Sequence, residues 1–139
     1  MNKWDFAHMK TAENYAQLSS AKRAQVGCVL VKDNRILSIG YNGMPSGWDN
    51  QCEYYDSIKD DVVTKPEVLH AETNALAKVA CSSESSEGSV LYTTMLPCLD
   101  CAKLIYQSKI SRVVYRDTYP KGTAGKDFLV KCGIEVTQL

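Results

Sequence analysis

Two short motifs, each at the predicted start of a helix, constrain the possible folds of this chain most strongly. The first is "HAE" at residues 70–72, and the second is "PCLDC" at residues 97–101. His70, Cys98 and Cys101 together offer one imidazole and two thiolates, which are ligands that Zn²⁺ prefers. If all three bind one ion, two helix N-termini that are distant in sequence must converge on a single point.

The two cysteines of "PCLDC" are also compatible with other chemistry. A disulfide is disfavoured because an unsecreted chain with its own hydrophobic core seldom relies on one. A redox dithiol is disfavoured because Asp100, between the two cysteines, tends to raise the thiol pKa. A closed structural zinc site is a third alternative, in which Cys52 supplies a fourth ligand. Of the six cysteines, Cys28, Cys81 and Cys132 are predicted to be packing residues.

The composition indicates one globular domain over residues 1–139. Hydrophobic residues make up 45% of the chain, and 16 basic residues balance 16 acidic ones, which gives a formal net charge of zero. A protein that binds nucleic acid usually carries a basic excess, so no nucleic-acid partner is expected. The sequence has no apolar run of signal-peptide or membrane-span length, which predicts a soluble, cytoplasmic protein without a membrane partner.

Helical and strand patterns alternate along the chain. Apolar residues at helical spacing predict a first helix from Trp4 to about Leu18, and "VGCVLVK" and "RILSIGYN" predict a β-hairpin. Residues 43–65 read as a long loop. The complete order is α-β-β-α-β-α-β-α-β, which predicts an α/β fold with a single sheet and helices packed on its faces.

The three candidate ligands would leave the fourth position of a tetrahedral zinc site open, as in catalytic sites. Glu72 lies two residues after His70, and zinc binding does not require it. A carboxylate there can accept and return a proton, so Glu72 is the candidate catalytic residue. The combined pattern H-x-E…P-C-x-x-C is typical of zinc nucleobase deaminases.

The chain resembles deoxycytidylate (dCMP) deaminases of the cytidine deaminase-like superfamily. The resemblance lies in the segments "QVGCVLV", "GYNGMPSG", "HAETNAL", "PCLDCAKLIYQSKI" and "YRDTYP". It implies a three-layer fold with a five-stranded mixed sheet flanked by helices, one Zn²⁺ per chain, and a homo-oligomer, commonly a hexamer. The implied reaction is dCMP plus water giving dUMP plus ammonia, which would supply dUMP for thymidylate synthesis.

The resemblance also suggests which residues bind the nucleotide. It matches Asn42 and Tyr119 to family residues that contact the nucleotide, and Ala71, next to His70, is a further candidate contact. The substrate phosphate needs donors, which the segment "SSAKRAQ" offers in Ser19, Ser20, Lys22 and Arg23. Arg23 is the preferred candidate because a guanidinium makes forked contacts with phosphate.

Many members of this family are activated by dCTP and inhibited by dTTP. The resemblance places such an effector near "GYNGMPSG", with Mg²⁺ as a further cofactor that can accompany a bound triphosphate. Gly43, Pro45 and Gly47 are the candidate effector-binding residues, because glycine permits close backbone approach to a ligand.

Two other functions are compatible with the zinc motif. One is deamination of a nucleic-acid base, such as tRNA adenosine, which the balanced charge disfavours. The other is a non-catalytic binding module that zinc stabilises. The presence of Glu72 argues against such a module, because a purely structural zinc site does not need this carboxylate.

Overall fold

Residues 2–139 are described by a computed structural model, in which helices cover both faces of a central sheet. The helices are α1 Lys3–Ala16, α2 Ala71–Ala80, α3 Leu99–Gln107 and α4 Ala124–Lys131. The strands are β1 Gly27–Lys32, β2 Arg35–Tyr41, β3 Glu53–Asp56, β4 Asp61–Thr64, β5 Val90–Met95, β6 Arg112–Asp117 and β7 Glu135–Gln138.

The central sheet has five strands in the order β2-β1-β5-β6-β7. Strand β1 is antiparallel to both β2 and β5, whereas β5, β6 and β7 are parallel to one another. The predicted five-stranded mixed sheet is therefore confirmed. Because β5 and β6 are parallel, their carboxyl ends lie at the same edge of the sheet, beside the first turn of α3.

The alternation of side chains along β1 divides the core into two parts, because successive residues of a strand point to opposite faces. Cys28 and Leu30 pack with residues of α2, α3 and α4 on one face of the sheet. Val29 and Val31 pack with Met9 and other residues beneath α1 on the other face. This is the predicted three-layer arrangement of helix, sheet and helix.

Gly40 allows the start of α2 to lie directly on strand β2. A Cβ atom at this position would collide with the carbonyl oxygen of Ala71, the first residue of α2. The absence of a side chain at position 40 therefore allows the first turn of α2 to lie close to strand β2.

The prediction of a long loop over residues 43–65 is wrong for the second half of this segment. Strands β3 and β4 form an antiparallel hairpin there, and this hairpin is a two-stranded sheet of its own. Its strands are only four residues long, and Tyr54, Tyr55 and Val62 are exposed. Because the hairpin has no buried face with alternating apolar residues, it lacks the pattern by which strands are recognised.

Helix boundaries and two cysteines also differ from the predictions. Helix α1 ends at Ala16 instead of Leu18, whereas α2 begins at Ala71, within the "HAE" motif as predicted. Cys28 is buried, as predicted for a packing residue, but Cys81 is exposed at the end of α2 and Cys132 is only half-buried. No helix within residues 2–139 combines the length and the apolar character needed to cross a membrane.

Candidate active site

Two helix N-termini meet at the edge of the sheet, and each presents a candidate metal ligand at its cap position. His70 precedes α2 and Cys98 precedes α3, and both have extended backbone conformations. Neither side chain forms a capping hydrogen bond with its own helix. Both side chains are therefore available to bind a ligand, and the positive ends of the two helices favour thiolate at this point.

The three predicted zinc ligands converge. His70 Nδ1 lies 3.5 Å from Cys98 Sγ and 3.4 Å from Cys101 Sγ, and the three ligand atoms lie within 4.8 Å of one another. Bonds of about 2.3 Å to sulfur and about 2.0 Å to nitrogen at a tetrahedral angle would separate the two ligand types by about 3.5 Å. The donor set and its spacing therefore fit Zn²⁺.

Cys52 does not belong to this cluster, so a closed site with four protein ligands is not formed within residues 2–139. Cys52 is instead buried beside the backbone of Met44. Asp100 is not a member of the cluster and forms an exposed ion pair with Lys103. The arrangement is a three-ligand site with one side open.

Hydrogen bonding shifts the pKa values of the two thiols of the cluster in opposite directions. Hydrogen bonds with Cys101 and His70 lower the pKa of the Cys98 thiol below its ordinary value. The hydrogen bond with Cys98, together with burial, raises the pKa of Cys101. Cys98 therefore provides a thiolate readily, whereas Cys101 loses its proton when a cation replaces that proton.

Glu72 lies behind the ligands, with a residue exposure of 3%. Burial raises the pKa of its carboxyl group above the ordinary value. The hydroxyl of Thr93, on β5, donates a hydrogen bond to Glu72 Oε1 at 3.2 Å. A buried carboxyl group that lines a cavity next to metal ligands can both accept and release a proton.

The cluster opens into a cavity of about 560 Å³, within the range of small-molecule sites. Four of the five residues predicted to contact the substrate line it, and Ser19 does not. Those four are Arg23, Asn42, Ala71 and Tyr119. Ser19 is buried, and its hydroxyl donates to the carbonyl oxygen of Asn42 at 2.7 Å.

Asn42 holds the segment before β1 in place. Its Oδ1 accepts a hydrogen bond from the backbone N–H of Val26, and its Nδ2 donates to the carbonyl of Ala24. Each amide atom can make one further hydrogen bond. Asn42 can therefore support the cavity wall and contact a ligand at the same time.

The predicted effector segment lies outside the cavity wall. Gly43 exchanges two backbone hydrogen bonds with Leu69, just before α2. Gly47 has a φ of 86°, which favours glycine. Gly43, Pro45 and Gly47 do not line the cavity.

Sequence patterns did not reveal the contribution of the β3–β4 hairpin to the cavity. The carboxylate of Glu53 accepts hydrogen bonds from the backbone N–H groups of Lys22 and Arg23, at 2.9 and 3.2 Å. The sequence feature that could have predicted this hairpin is a pair of short runs with β-branched or aromatic residues on either side of a polar turn. The hairpin residues that line the cavity are Glu53, Lys59, Asp61, Val63 and Thr64.

Known proteins are similar in sequence to this chain over most of its length. The family model for the cytidine and deoxycytidylate deaminase zinc-binding region matches residues 2–117. The deoxycytidylate deaminase of Enterobacteria phage T2 is 35% identical over 81% of this chain and 79% of its own length. The human deoxycytidylate deaminase is 37% identical over 81% of this chain and 64% of its own length.

A solved structure matches the complete chain. The dCMP deaminase of cyanophage S-TIM5, crystallised in complex with dCMP and dUMP, is 46% identical, with a TM-score of 0.92. The match covers 100% of this chain and 99% of that one. Since the matching family region contains the His70, Cys98 and Cys101 cluster and Glu72, the chain belongs to the cytidine and deoxycytidylate deaminase family.

Proposed function

We propose that this protein converts dCMP and water into dUMP and ammonia. The observation that carries this proposal is the full-length similarity to the cyanophage enzyme crystallised with dCMP and dUMP. The same likeness supports the view that residues 1–139 form a single catalytic domain. The cavity of about 560 Å³ above His70, Cys98 and Glu72 is large enough for one nucleotide.

The residues at the floor of the cavity divide the chemistry between them. His70, Cys98 and Cys101 would hold one Zn²⁺, which supplies Lewis acidity and makes water nucleophilic at neutral pH. Glu72 would accept a proton from the attacking water and donate it to N3 of the pyrimidine. The oxygen of that water would bond to C4, and Glu72 would then take its remaining proton and pass it to the amine, so that the C4–N bond breaks and ammonia leaves. Because Glu72 is buried at the floor of the cavity, a bound substrate would separate its carboxyl group from bulk water.

The walls of the cavity would orient the nucleotide. The Asn42 amide has one donor and one acceptor site left for the sugar, and Tyr119 lies half-buried in the same wall. Ala71, with almost no exposed surface, would limit how deeply the base enters. The exposed Arg23 lies at the mouth, where its guanidinium would bind the phosphate. Ser19 would act only through Asn42, which its hydroxyl holds.

A spectroscopic assay of the zinc-loaded protein with several substrates tests this function. We expect the ultraviolet change of cytosine deamination to be fastest with dCMP, slower with deoxycytidine and dCTP, and absent with an RNA hairpin. A preference for deoxycytidine over dCMP would contradict the assigned substrate. Activity on the hairpin alone would favour a nucleic-acid deaminase.

We propose in addition that dCTP activates and dTTP inhibits the enzyme, with Mg²⁺ accompanying the triphosphate. This proposal rests on the family resemblance of residues 40–47 and on their position next to α2. The bridge between Gly43 and Leu69 connects this segment to His70, so an effector that moves Gly43, Pro45 or Gly47 would disturb a metal ligand. A hyperbolic dCMP saturation curve that neither triphosphate alters would contradict it.

Assembly into a homo-oligomer, most simply a hexamer, and a cytoplasmic location complete the proposal. The six cysteines are all free thiols, and free thiols are typical of a reducing compartment. Light scattering of the zinc-loaded protein would measure the assembly, and a monomeric mass at micromolar concentration would contradict it. Fractionation of the source cells would test the location.

A further inference from the structure

Thr93 contacts the candidate catalytic carboxylate from within the central sheet. Its residue exposure is 0%, and its hydroxyl lies 3.2 Å from Glu72 Oε1 and 2.9 Å from the carbonyl oxygen of Met95. We propose that Thr93 is a positioning residue that fixes the orientation of the Glu72 carboxylate for proton transfer. This inference rests on the proposed deaminase function.

The backbone of Thr93 is held from both sides. It pairs with Cys28 of the antiparallel strand β1 and with Tyr115 of the parallel strand β6. A threonine side chain has restricted χ1 freedom, because it is branched at Cβ. The position of the hydroxyl is therefore determined by a strand that is paired on both sides.

Glu72 needs such a support. Its carboxylate is carried by the first turn of α2, whereas the reacting atoms of the substrate enter from the cavity. A glutamate has three side-chain torsions, and each unfixed torsion reduces the fraction of molecules in a productive geometry. A donor fixed on β5 holds Oε1 toward the sheet and restricts the rotation of the carboxylate.

Thr93 does not need Glu72 as a hydrogen-bond acceptor for its own buried hydroxyl. A buried hydroxyl needs one acceptor, and the carbonyl of Met95 already provides one at 2.9 Å. A carboxylate is a stronger acceptor than a carbonyl, because the hydrogen bond is then charge-assisted. The single hydroxyl hydrogen can therefore be donated to Glu72 Oε1 at 3.2 Å or to the Met95 carbonyl at 2.9 Å, and the charge-assisted bond is the stronger of the two.

The neighbouring Thr94 provides a matched control. It lies on the same strand with an exposure of 1%, and its side chain points to the opposite face. There its hydroxyl accepts a hydrogen bond from the backbone N–H of Gly27 at 3.2 Å. The two threonines therefore share residue type, strand and burial but differ in whether they contact Glu72.

The test compares Thr93→Val, Thr93→Ser, Thr93→Ala and Thr94→Val in zinc-loaded protein, with dCMP as the substrate. We expect Thr93→Val to lower kcat about 10- to 30-fold, as for loss of one charge-assisted hydrogen bond, and to change KM by less than about twofold. Thr93→Ser retains the hydroxyl and should restore kcat to within about threefold of the wild type. Thr94→Val should lower the unfolding temperature and leave kcat within about twofold.

Several results would overturn the inference. One is a wild-type kcat for zinc-loaded Thr93→Val, and another is an equal loss of kcat for the valine and serine variants. If Thr93→Val does not fold, the ratio of kcat for Thr93→Ser to Thr93→Ala isolates the hydroxyl, and a ratio near one would contradict its role.

A crystal structure of zinc-loaded Thr93→Val separates this inference from the assigned reaction. We expect the Glu72 carboxylate to rotate or to occupy two conformers in this variant and to keep its place in Thr93→Ser. An unchanged carboxylate in Thr93→Val would reject the positioning role, whatever the substrate is. Absence of dCMP deamination by the wild type, with a displaced carboxylate in the variant, would reject only the substrate.

Discussion

Glu72 and His70 are two residues apart in sequence but lie in different environments. His70 is exposed and Glu72 is 3% exposed, because α2 begins between them. The extended backbone of His70 directs its imidazole toward Cys98 and Cys101, whereas the first helical turn places Glu72 against β5. This difference supports the proposed metal binding by His70 and the proposed proton transfer by Glu72.

Substitution Glu72→Gln should abolish turnover and leave metal binding intact. The amide keeps the shape of the side chain but cannot accept the proton, so we expect kcat for dCMP to fall by about 10³-fold or more. Zinc content, measured by elemental analysis, should remain near one ion per chain. Glu67→Gln, an exposed position outside the cavity, is the control and should retain full activity. Near-normal activity of Glu72→Gln would contradict the proton-transfer role.

Arg23→Ala should discriminate between a nucleotide and a nucleoside. We expect kcat/KM for dCMP to fall about 10-fold, the effect of one charge-assisted contact, and kcat/KM for deoxycytidine to change less than about twofold. Lys22→Ala removes a neighbouring exposed charge that does not line the cavity and should affect neither substrate. Equal losses for both substrates in Arg23→Ala would reject a phosphate contact.

At the scale of elements, the cavity is assembled from units that belong to different sheets. The starts of α2 and α3 form its floor, beside the central sheet, and the separate β3–β4 hairpin forms part of its wall. The Glu53 carboxylate fastens this hairpin to residues 22–23. Ligand affinity should therefore depend on the hairpin, whereas the chemical step depends on the two helices.

Glu53→Ala tests this division. Loss of the two backbone contacts frees the segment that carries Arg23, so we expect KM for dCMP to rise about 3- to 10-fold with a smaller change in kcat. Asp60→Asn is the matched control, since Asp60 lies in the same hairpin, bonds to Tyr55 and does not line the cavity. A fall in kcat with an unchanged KM for Glu53→Ala would contradict the assignment.

At the scale of the whole molecule, a metal ion would link α2 to α3. These helices contact each other only slightly otherwise, so His70, Cys98 and Cys101 would provide a strong connection. A ligand at 100 times its Kd adds about 2.7 kcal/mol to the free energy of unfolding. Because about 1 kcal/mol corresponds to about 3 °C in Tm, we expect removal of zinc by a chelator to lower the Tm by roughly 8 °C. In Cys98→Ser the Tm should no longer depend on zinc, whereas in the control Cys81→Ser, at an exposed cysteine, it should. Equal Tm values of the wild type with and without chelator would contradict the prediction.

A second connection ties the α1 layer to the sheet. The Asp5 carboxylate accepts two hydrogen bonds from Arg112 at 2.9 and 3.0 Å and one from the Tyr92 hydroxyl at 2.8 Å. The Arg112 guanidinium, helped by Tyr92, lowers the pKa of Asp5 below its ordinary value of 3.8. The stabilisation is therefore complete above the ordinary pKa and is lost as the pH falls through the lowered one.

Asp5→Asn should lower the free energy of unfolding by about 3 kcal/mol at pH 7, because Arg112 is left without its buried partner. The deficit relative to the wild type should shrink as the pH falls below about 4. Urea unfolding at pH 7, 4, 3 and 2 measures this deficit. The control is Lys10→Ala, at an exposed lysine, whose free energy of unfolding should lie within about 0.5 kcal/mol of the wild type. A deficit that stays constant down to pH 2 would contradict the assigned linkage.

The predicted elements that agree with the structure carry strong local signals. The run "VGCVLVK" is rich in β-branched residues and became β1, and "PCLDC" placed a ligand at the cap of α3. The hairpin of residues 53–64 was missed because its exposed faces carry no apolar alternation. Thr93 gave no signal either, since a threonine in a strand is unremarkable until the facing residue is known.

Local sequence patterns were enough to predict the zinc ligands, the α/β class and the order of the central strands and helices. Ligand type, strand propensity and helix periodicity are properties of neighbouring residues, so they can be read along the chain. Only the tertiary structure brought Glu53 to residues 22–23, seated Thr93 against Glu72 and removed Ser19 from the cavity. These hydrogen bonds join residues that are between 21 and 31 positions apart, and their geometry depends on how the layers pack and not on any local pattern.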